Sequence, residues 1–98
     1  MSYIVRLRDE ADHDLVEAAT WYEQQQAGLG HEFLDAVVST FESIGAAPFS
    51  FPELHRNTRR AVVSRFPFAV FYQVKDLNII VIALMHGSRH PSNWKKRI

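Results

Sequence analysis

The feature that most constrains the fold is an uninterrupted apolar run from Ile79 to Met85 near the end of the chain. The segment before it, Phe68 to Val74, carries large apolar side chains on alternate positions, with Ala69 and Phe71 between them. Two neighbouring strands that are apolar on both faces need cover on both sides. We expect helices over one face of this sheet. On the other face we expect either an exposed groove for a partner segment or a small second core.

Alternation and turn residues predict two further strands. Residues 3–8 alternate in polarity, which indicates a first strand with one wetter face. Residues 59–65 form another strand candidate, with Phe66-Pro67 as the turn after it and residues 76–78 as the turn before the last strand. The end of the chain is therefore predicted to be an antiparallel three-strand meander.

Two helices are predicted between the first strand and the meander. Asp9 is a candidate N-cap, and the first helix is expected to run to about Gln26. Gly28 and Gly30 interrupt the pattern, and a second helix then ends near Gly45. The first helix carries its apolar stripe on Ala11, Leu15, Ala18 and Tyr22, and the second on Phe33, Leu34, Val37, Val38, Phe41 and Ile44. So short a connection predicts an antiparallel helical hairpin, with Trp21 and Tyr22 in its core and residues 46–57 as a packed loop.

These elements predict one α+β domain over residues 1–98: an N-terminal strand, and a helical hairpin packed on an antiparallel sheet that the meander completes. The sequence has no cysteine, which excludes disulfides and thiolate metal sites. It shows neither a secretory signal pattern nor an apolar run long enough to span a bilayer. We expect a cytoplasmic protein without a membrane partner.

The formal charge of zero conceals a strong division along the chain. Residues 1–53 hold ten acidic residues against Arg6 and Arg8, and residues 54–98 hold nine basic residues against Asp76. The two parts therefore carry about −8 and +8. Clustered Lys and Arg favour an anionic partner, and charge complementarity within the fold is the alternative. The predicted partner-binding surface consists of Arg56, Arg59, Arg60, Arg65, Arg89, Trp94, Lys95, Lys96 and Arg97.

Several local motifs resemble the RelE/ParE superfamily of bacterial toxins, and in particular its ParE-like, or plasmid-stabilisation, branch. They occur in the expected order over nearly the whole chain. The motifs are Trp21-Tyr22-Glu23, Gly28-Leu29-Gly30, His31-Glu32-Phe33-Leu34, Phe51-Pro52, Arg59-Arg60, Arg65-Phe66-Pro67-Phe68, Val70-Phe71-Tyr72-Gln73-Val74 and His86-Gly87-Ser88-Arg89, followed by Pro91 and Trp94. The resemblance implies a toxin of a type II toxin-antitoxin system, which a cognate antitoxin neutralises, and it leaves room for a toxin-antitoxin hetero-oligomer.

The RelE-like branch of that superfamily consists of ribosome-dependent mRNA endonucleases, whose partners would be the ribosome and mRNA. Arg65, His86 and Arg89 are the candidate catalytic residues for that alternative, since cations could hold the phosphate and His86 could move a proton. Ala69 stands where such nucleases, as we align them, have an arginine, and their lysine-rich stretch before the meander is missing. Arginine is a poor base.

The ParE-like branch implies a protein-binding inhibitor of DNA gyrase, and we favour it over the nuclease. No motif for a metal ion, nucleotide or other cofactor occurs in the sequence, so none is predicted. Trp94 lies among Lys95, Lys96 and Arg97, where it could stack on a partner or pack the tail onto the sheet. His86 and His90 could instead be a strand-end histidine and a loop histidine without chemical roles.

Overall fold

The computed structural model describes residues 2–98, and its regular elements follow the predicted order. The helices are α1 (Asp9–Gln25), α2 (Leu29–Ala46) and a short α3 (Ser92–Lys95). The strands are β1 (Ile4–Leu7), β2 (Glu53–His55), β3 (Thr58–Val62), β4 (Phe68–Lys75) and β5 (Asn78–His86). The α+β architecture, the helical hairpin and the C-terminal meander are confirmed.

One sheet contains all five strands in the order β1-β5-β4-β3-β2. The pairs β2–β3, β3–β4 and β4–β5 are antiparallel, as a meander requires, but β1 pairs with β5 in parallel. The sheet is therefore mixed, which corrects the expectation of an antiparallel sheet for this one strand. Alternation reveals which face of a strand is buried and says nothing of its direction, and the long connection from β1 to β5 permits the parallel arrangement.

Two local expectations also change. The loop predicted over residues 46–57 contains β2, a three-residue edge strand. Asp9 is the first residue of α1, and Arg8 holds the N-cap position without a side-chain hydrogen bond. The carboxylates of Asp9, Glu10 and Asp12 in the first turn instead favour the positive end of the helix dipole.

The larger core lies between the helical hairpin and one face of the sheet. It includes an aromatic cluster in which the Tyr22 and Phe33 ring centroids lie 5.0 Å apart, and each lies 5.0 to 6.0 Å from those of Phe66 and Phe68. Tyr72 is fully buried, and its hydroxyl donates a 2.6 Å hydrogen bond to the Pro48 carbonyl, which fixes the segment after α2.

The connection between α1 and α2 is held by one carboxylate. Glu23 accepts hydrogen bonds from the Gly28 N–H at 2.9 and 3.1 Å and from the Gly30 N–H at 3.0 Å. Gly28 has a φ of 88°, which favours glycine. Gly30 packs against α1 so closely that an added Cβ would lie 2.6 Å from the Ala19 carbonyl oxygen. The hairpin thus depends on both glycines and on Glu23.

A second, smaller core covers part of the opposite sheet face. It contains Ala69, Phe71, Ile82, Ala83 and Met85 from the sheet and Trp94 from α3. The Trp94 ring stacks on the Phe71 ring at 4.7 Å with an interplanar angle of 19°. The alternative of a small second core is therefore confirmed for this part of the sheet.

Candidate partner-binding surface

Beside α3, the outer sheet face forms an open groove of about 430 Å³, which we call the basic groove. Its floor is apolar and includes Ala69, Phe71 and Met85. Leu54 and Val62, which are 41% and 67% exposed, extend this apolar surface toward the β2 edge of the sheet. Part of the predicted groove for a partner therefore remains open where α3 does not reach.

Cations surround the apolar floor. Arg60 of β3, Arg89 of the segment before α3, and Lys95 of α3 all line the basic groove, and none of its lining residues is acidic. The Lys95 ammonium also lies 5.7 Å from the centre of the Trp94 ring, a cation–π distance. An apolar floor with a uniformly positive rim suits a surface that offers both apolar and anionic groups.

His86 and Arg89 enter the groove from the end of β5 and the turn that follows it. The His86 Nδ1 atom lies 3.0 Å from the Ser88 backbone nitrogen and 2.8 Å from the Ser88 hydroxyl oxygen. These two contacts hold the imidazole within the turn that follows β5.

The third candidate catalytic residue lies elsewhere. Arg65 is in the turn between β3 and β4 with a φ of 69°, is exposed, and does not line the basic groove. The structure therefore brings His86 and Arg89 together and leaves Arg65 apart. β3 ends at Val62, before the predicted limit of residue 65, because the chain turns there.

Arg59 is a correction to the predicted basic surface. Its guanidinium donates hydrogen bonds to the carbonyls of Phe51 at 2.7 Å and Phe49 at 3.4 Å, and lies 3.6 Å from a Glu53 carboxylate oxygen. It also lies 5.2 Å from the centre of the Phe49 ring. Arg59 therefore organises the segment between α2 and β3, and its guanidinium already has partners within the fold.

Arg97 is a second correction. It forms two hydrogen bonds with Asp14, lies 3.7 Å from a Glu10 carboxylate oxygen, and donates to the Ile82 carbonyl at 3.1 Å. Hydrogen bonding to Asp14 is the main cause that raises the pKa of Arg97 above its ordinary value. Arg97 from the basic half of the chain therefore pairs with Asp14 and Glu10 from the acidic half, which is charge complementarity within the fold.

Of the two roles left open for Trp94, the structure shows the packing role, because its ring is buried in the second core and anchors the tail to the sheet. Arg56 lies exposed in the turn between β2 and β3, with a φ of 44°, and Lys96 is exposed just after α3. His90 accepts the Ser92 N–H at 3.1 Å on Nδ1 and is exposed. Trp94 lines the basic groove, and Arg56, Lys96 and His90 do not.

A second groove, of about 480 Å³, was not predicted from the sequence. It lies between α1 and the end of β5, and we call it the edge groove. Trp21, which we expected in the hairpin core, is 55% exposed and lines it. Its position in the helix could have predicted this exposure. Trp21 is one residue, or about 100° around the helix, away from Tyr22, the last residue of the apolar stripe.

Neither groove contains a metal site. Within residues 2–98, no three His, Asp or Glu side chains come close enough together to hold an ion. The same part of the chain has no helix with the length and apolar composition that a bilayer crossing requires.

Comparisons with known proteins agree with this geometry. The chain is similar to a structure described as the chromosomal ParDE toxin-antitoxin system from P. aeruginosa, with a TM-score of 0.76 and 15% identity over 86% of this chain and 95% of that one. It is also similar to the RelBE2 toxin-antitoxin complex from Mycobacterium tuberculosis, with a TM-score of 0.64 and 22% identity over 88% and 99% of the two chains. At these identities the likeness concerns the fold. No curated protein matches the chain.

The family itself is shown by the sequence model of the ParE toxin of the type II toxin-antitoxin system parDE, which matches residues 5–91. This match includes both helices of the hairpin and strands β2 to β5. It confirms the family that the sequence motifs predicted. The chain therefore belongs to the ParE toxins of type II toxin-antitoxin systems.

Proposed function

We propose that this toxin arrests growth by binding DNA gyrase through the basic groove, without cutting RNA itself. The observation that carries the proposal is the composition of that groove: an apolar floor surrounded by Arg60, Arg89 and Lys95, with no acidic residue among those that line it. Such a surface can bury apolar area of a protein partner while its cations pair with that partner's carboxylates or with DNA phosphates near it.

Two features favour binding over RNA cleavage. Ala69 places a methyl group in the floor of the groove, where a phosphate-cleaving site would need a cation to stabilise the developing charge. Arg65 lies outside the groove, so the three candidate catalytic residues do not converge on one phosphate.

The second candidate function is the ribosome-dependent mRNA endonuclease. The observation that favours it is the joint presence of His86 and Arg89 in the basic groove, since a histidine and an arginine can serve proton transfer and phosphate binding. Both candidate functions imply a cytoplasmic location and neutralisation by a cognate antitoxin. Both targets are cytoplasmic, and type II antitoxins are proteins that bind the toxin directly.

The test is to induce the chain alone in a bacterial host and to pulse-label DNA and protein synthesis within minutes. The gyrase proposal expects thymidine incorporation to stop first, and the purified chain to inhibit supercoiling of relaxed plasmid by gyrase. Earlier loss of amino-acid incorporation, with cleavage of ribosome-bound mRNA by the purified chain, would replace the gyrase proposal with the nuclease.

A matched pair of variants links the result to the groove. Arg60→Ala removes a cation that lines the basic groove, and Arg56→Ala removes an exposed cation that does not. We expect Arg60→Ala to weaken the inhibition of gyrase and Arg56→Ala to leave it nearly unchanged. Equal effects of the two changes would place the gyrase contact elsewhere on the chain.

A further inference from the structure

The charges of the protein are divided between two opposite sides of the fold. The helical hairpin covers one face of the sheet, and the basic groove opens on the other face. Six acidic residues lie in α1 and three in α2, and neither helix contains a Lys or Arg. The groove shows the reverse composition, with Arg60, Arg89 and Lys95 and no acidic residue. An acidic side therefore lies opposite a basic one.

This division occurs in a chain whose formal net charge is zero at pH 7. Two copies of the chain therefore do not repel each other as whole molecules. They attract when the acidic side of one copy faces the basic side of the other, because opposite charges then come closest together. A surface complementary in charge to the basic groove is thus present on the chain itself.

The exposed side of α2 also offers an apolar group for the floor of the groove. Val38 is 52% exposed. Asp35 precedes it by three residues and Glu42 follows it by four, so all three side chains lie on the same side of the helix. The Asp35 carboxylate has only an exposed 3.7 Å contact with His31, and within residues 2–98 Glu42 forms no ion pair. Val38 therefore lies between two carboxylates that are free to bind cations.

The other helix of the hairpin does not repeat this pattern. Val16 of α1 is 57% exposed, and Asp12 lies one turn before it. The residue one turn after it is Thr20, which carries no charge. An apolar residue with a carboxylate on each side along one helix face is therefore found at Val38 and not at Val16.

The spacing of the two carboxylates matches the spacing of the groove's arginines. Seven residues separate Asp35 from Glu42, which is about 10 Å along the helix. Arg60 lies in β3 and Arg89 follows β5, and these two strands flank β4, so they lie about 10 Å apart. Phe71 of β4 belongs to the apolar floor between them. Each surface thus has an apolar centre and two charges, with opposite signs on the two surfaces.

We propose that α2 of a second copy of this chain docks in the basic groove. Val38 of that copy packs on the apolar floor, and its Asp35 and Glu42 pair with Arg60 and Arg89. The contact joins two different surfaces, so each copy keeps one groove or one α2 free for a further copy unless a ring closes. The area is small and the charged pairs are exposed, so the association is weak and reversible.

Self-association of this kind would regulate the toxin by its own concentration. A groove that holds α2 of another copy cannot bind a target, so crowded free toxin is masked and dilution releases it. This consequence rests on the proposed role of the basic groove in binding gyrase. The association itself does not, because it concerns two copies of one purified chain.

Sedimentation velocity of the purified chain, free of antitoxin, provides the first test. At about 50 mM salt the average mass should rise with protein concentration. At about 500 mM salt the dissociation constant should be at least about tenfold higher, because salt screens exposed charge pairs. A chain that stays monomeric at low salt would overturn the proposal. So would an association that does not depend on salt, since it would use an apolar surface or a strand edge.

An exchange of charges tests the two surfaces. Asp35→Lys with Glu42→Lys makes the α2 face basic, and Arg60→Glu with Arg89→Glu makes the groove acidic. Each doubly substituted chain should be monomeric alone, because like charges then meet at the contact. An equal mixture of the two should associate again, since each contact between unlike copies pairs opposite charges. A mixture that remains monomeric would overturn the proposal.

A matched variant controls for net charge. Asp12→Lys with Glu17→Lys makes the same change of charge on α1, at two exposed positions outside the proposed contact. This chain should keep most of the association, whereas Asp35→Lys with Glu42→Lys should weaken it at least about tenfold. Equal losses would overturn the assignment to α2. Gyrase takes no part in these measurements, so their failure leaves the gyrase proposal standing, and failure of the supercoiling assay leaves the self-association standing.

Discussion

The Arg97 guanidinium and the Asp14 carboxylate meet in two hydrogen bonds of 2.7 and 3.2 Å, which join the end of the chain to the middle of α1. Arg8 adds a 2.9 Å hydrogen bond to the Arg97 carbonyl, and Asp14 also accepts the Leu84 N–H. One ion pair therefore holds together three parts of the fold: the C-terminal segment, α1 and the open edge of β5. This contact keeps α3 in place over the second core.

Asp14→Asn should destabilise the protein by about 2 kcal/mol, because a charge-assisted pair is lost and Arg97 keeps a poorly compensated charge. Both side chains are only 16% exposed, so water compensates little of the loss. Urea denaturation followed by circular dichroism measures the difference. Glu17→Gln is the control, since the exposed pair of His13 and Glu17 should contribute less than about 0.5 kcal/mol. Equal losses in the two variants would contradict this account of Asp14.

Stability should fall as the pH rises from about 10 to about 12. Burial raises the pKa of Tyr72 from 10.0 to about 12, and the Arg59 guanidinium lowers it by a smaller amount. In this window the unfolded state has lost the phenolic proton that the folded state still holds, so each rise in pH favours unfolding. Burial also raises the pKa of Tyr22, which contributes in the same direction.

Tyr72→Phe should reduce this loss of stability at high pH, because the group whose titration is linked to unfolding is removed. At neutral pH the variant should be less stable by about 1–2 kcal/mol, since the buried Pro48 carbonyl loses its 2.6 Å hydrogen bond. Urea denaturation at several pH values between 8 and 11 measures both effects. A slope identical to that of the unmodified protein would contradict the assignment to Tyr72.

Gly30→Ala and Gly45→Ala should act in opposite directions although both positions lie in α2. At Gly30 the added methyl group meets the Ala19 carbonyl at 2.6 Å, and forcing the helices apart should cost about 1–3 kcal/mol. At Gly45 the methyl group meets nothing within 4 Å, and the better helix propensity of alanine should add about 0.5–1 kcal/mol. Thermal unfolding of the two variants distinguishes these effects. Stabilisation by Gly30→Ala would show that the hairpin is not closely packed there.

The longer elements of this fold were predictable because each depends on a local pattern, whereas the three-residue β2 and the four-residue α3 are too short to show one. Alternation located β4 and β5, and the spacing of apolar residues located α1 and α2. The roles of Arg59 and Arg97 were not predictable, because their partners are fixed only by the tertiary fold. Asp14 lies 83 residues from Arg97. A count of charges therefore identifies a basic half but cannot show that two of its arginines have partners within the fold.

The two tryptophans should differ sharply in their effects on stability. Trp94→Ala removes the ring that stacks on Phe71 and should cost about 3–5 kcal/mol, as a large cavity forms in the second core. Trp21→Ala removes a half-exposed ring and should cost less than about 1 kcal/mol. Urea denaturation compares the two variants. A loss for Trp21→Ala as large as that for Trp94→Ala would assign Trp21 to the core after all.

Each cation of the basic groove should contribute a small, separate part of the binding energy on which growth arrest depends. Arg60→Ala, Arg89→Ala and Lys95→Ala each remove one charge from the groove, and each should weaken target binding by about 1–2 kcal/mol, or roughly five- to thirtyfold. Induction of each variant at graded inducer levels, followed by colony counts, measures the loss of toxicity. Protein levels are compared by immunoblot, and Arg56→Ala serves as the control outside the groove. Losses confined to Arg89→Ala, and as large as several orders of magnitude, would instead indicate that Arg89 acts in a chemical step, as the nuclease alternative requires.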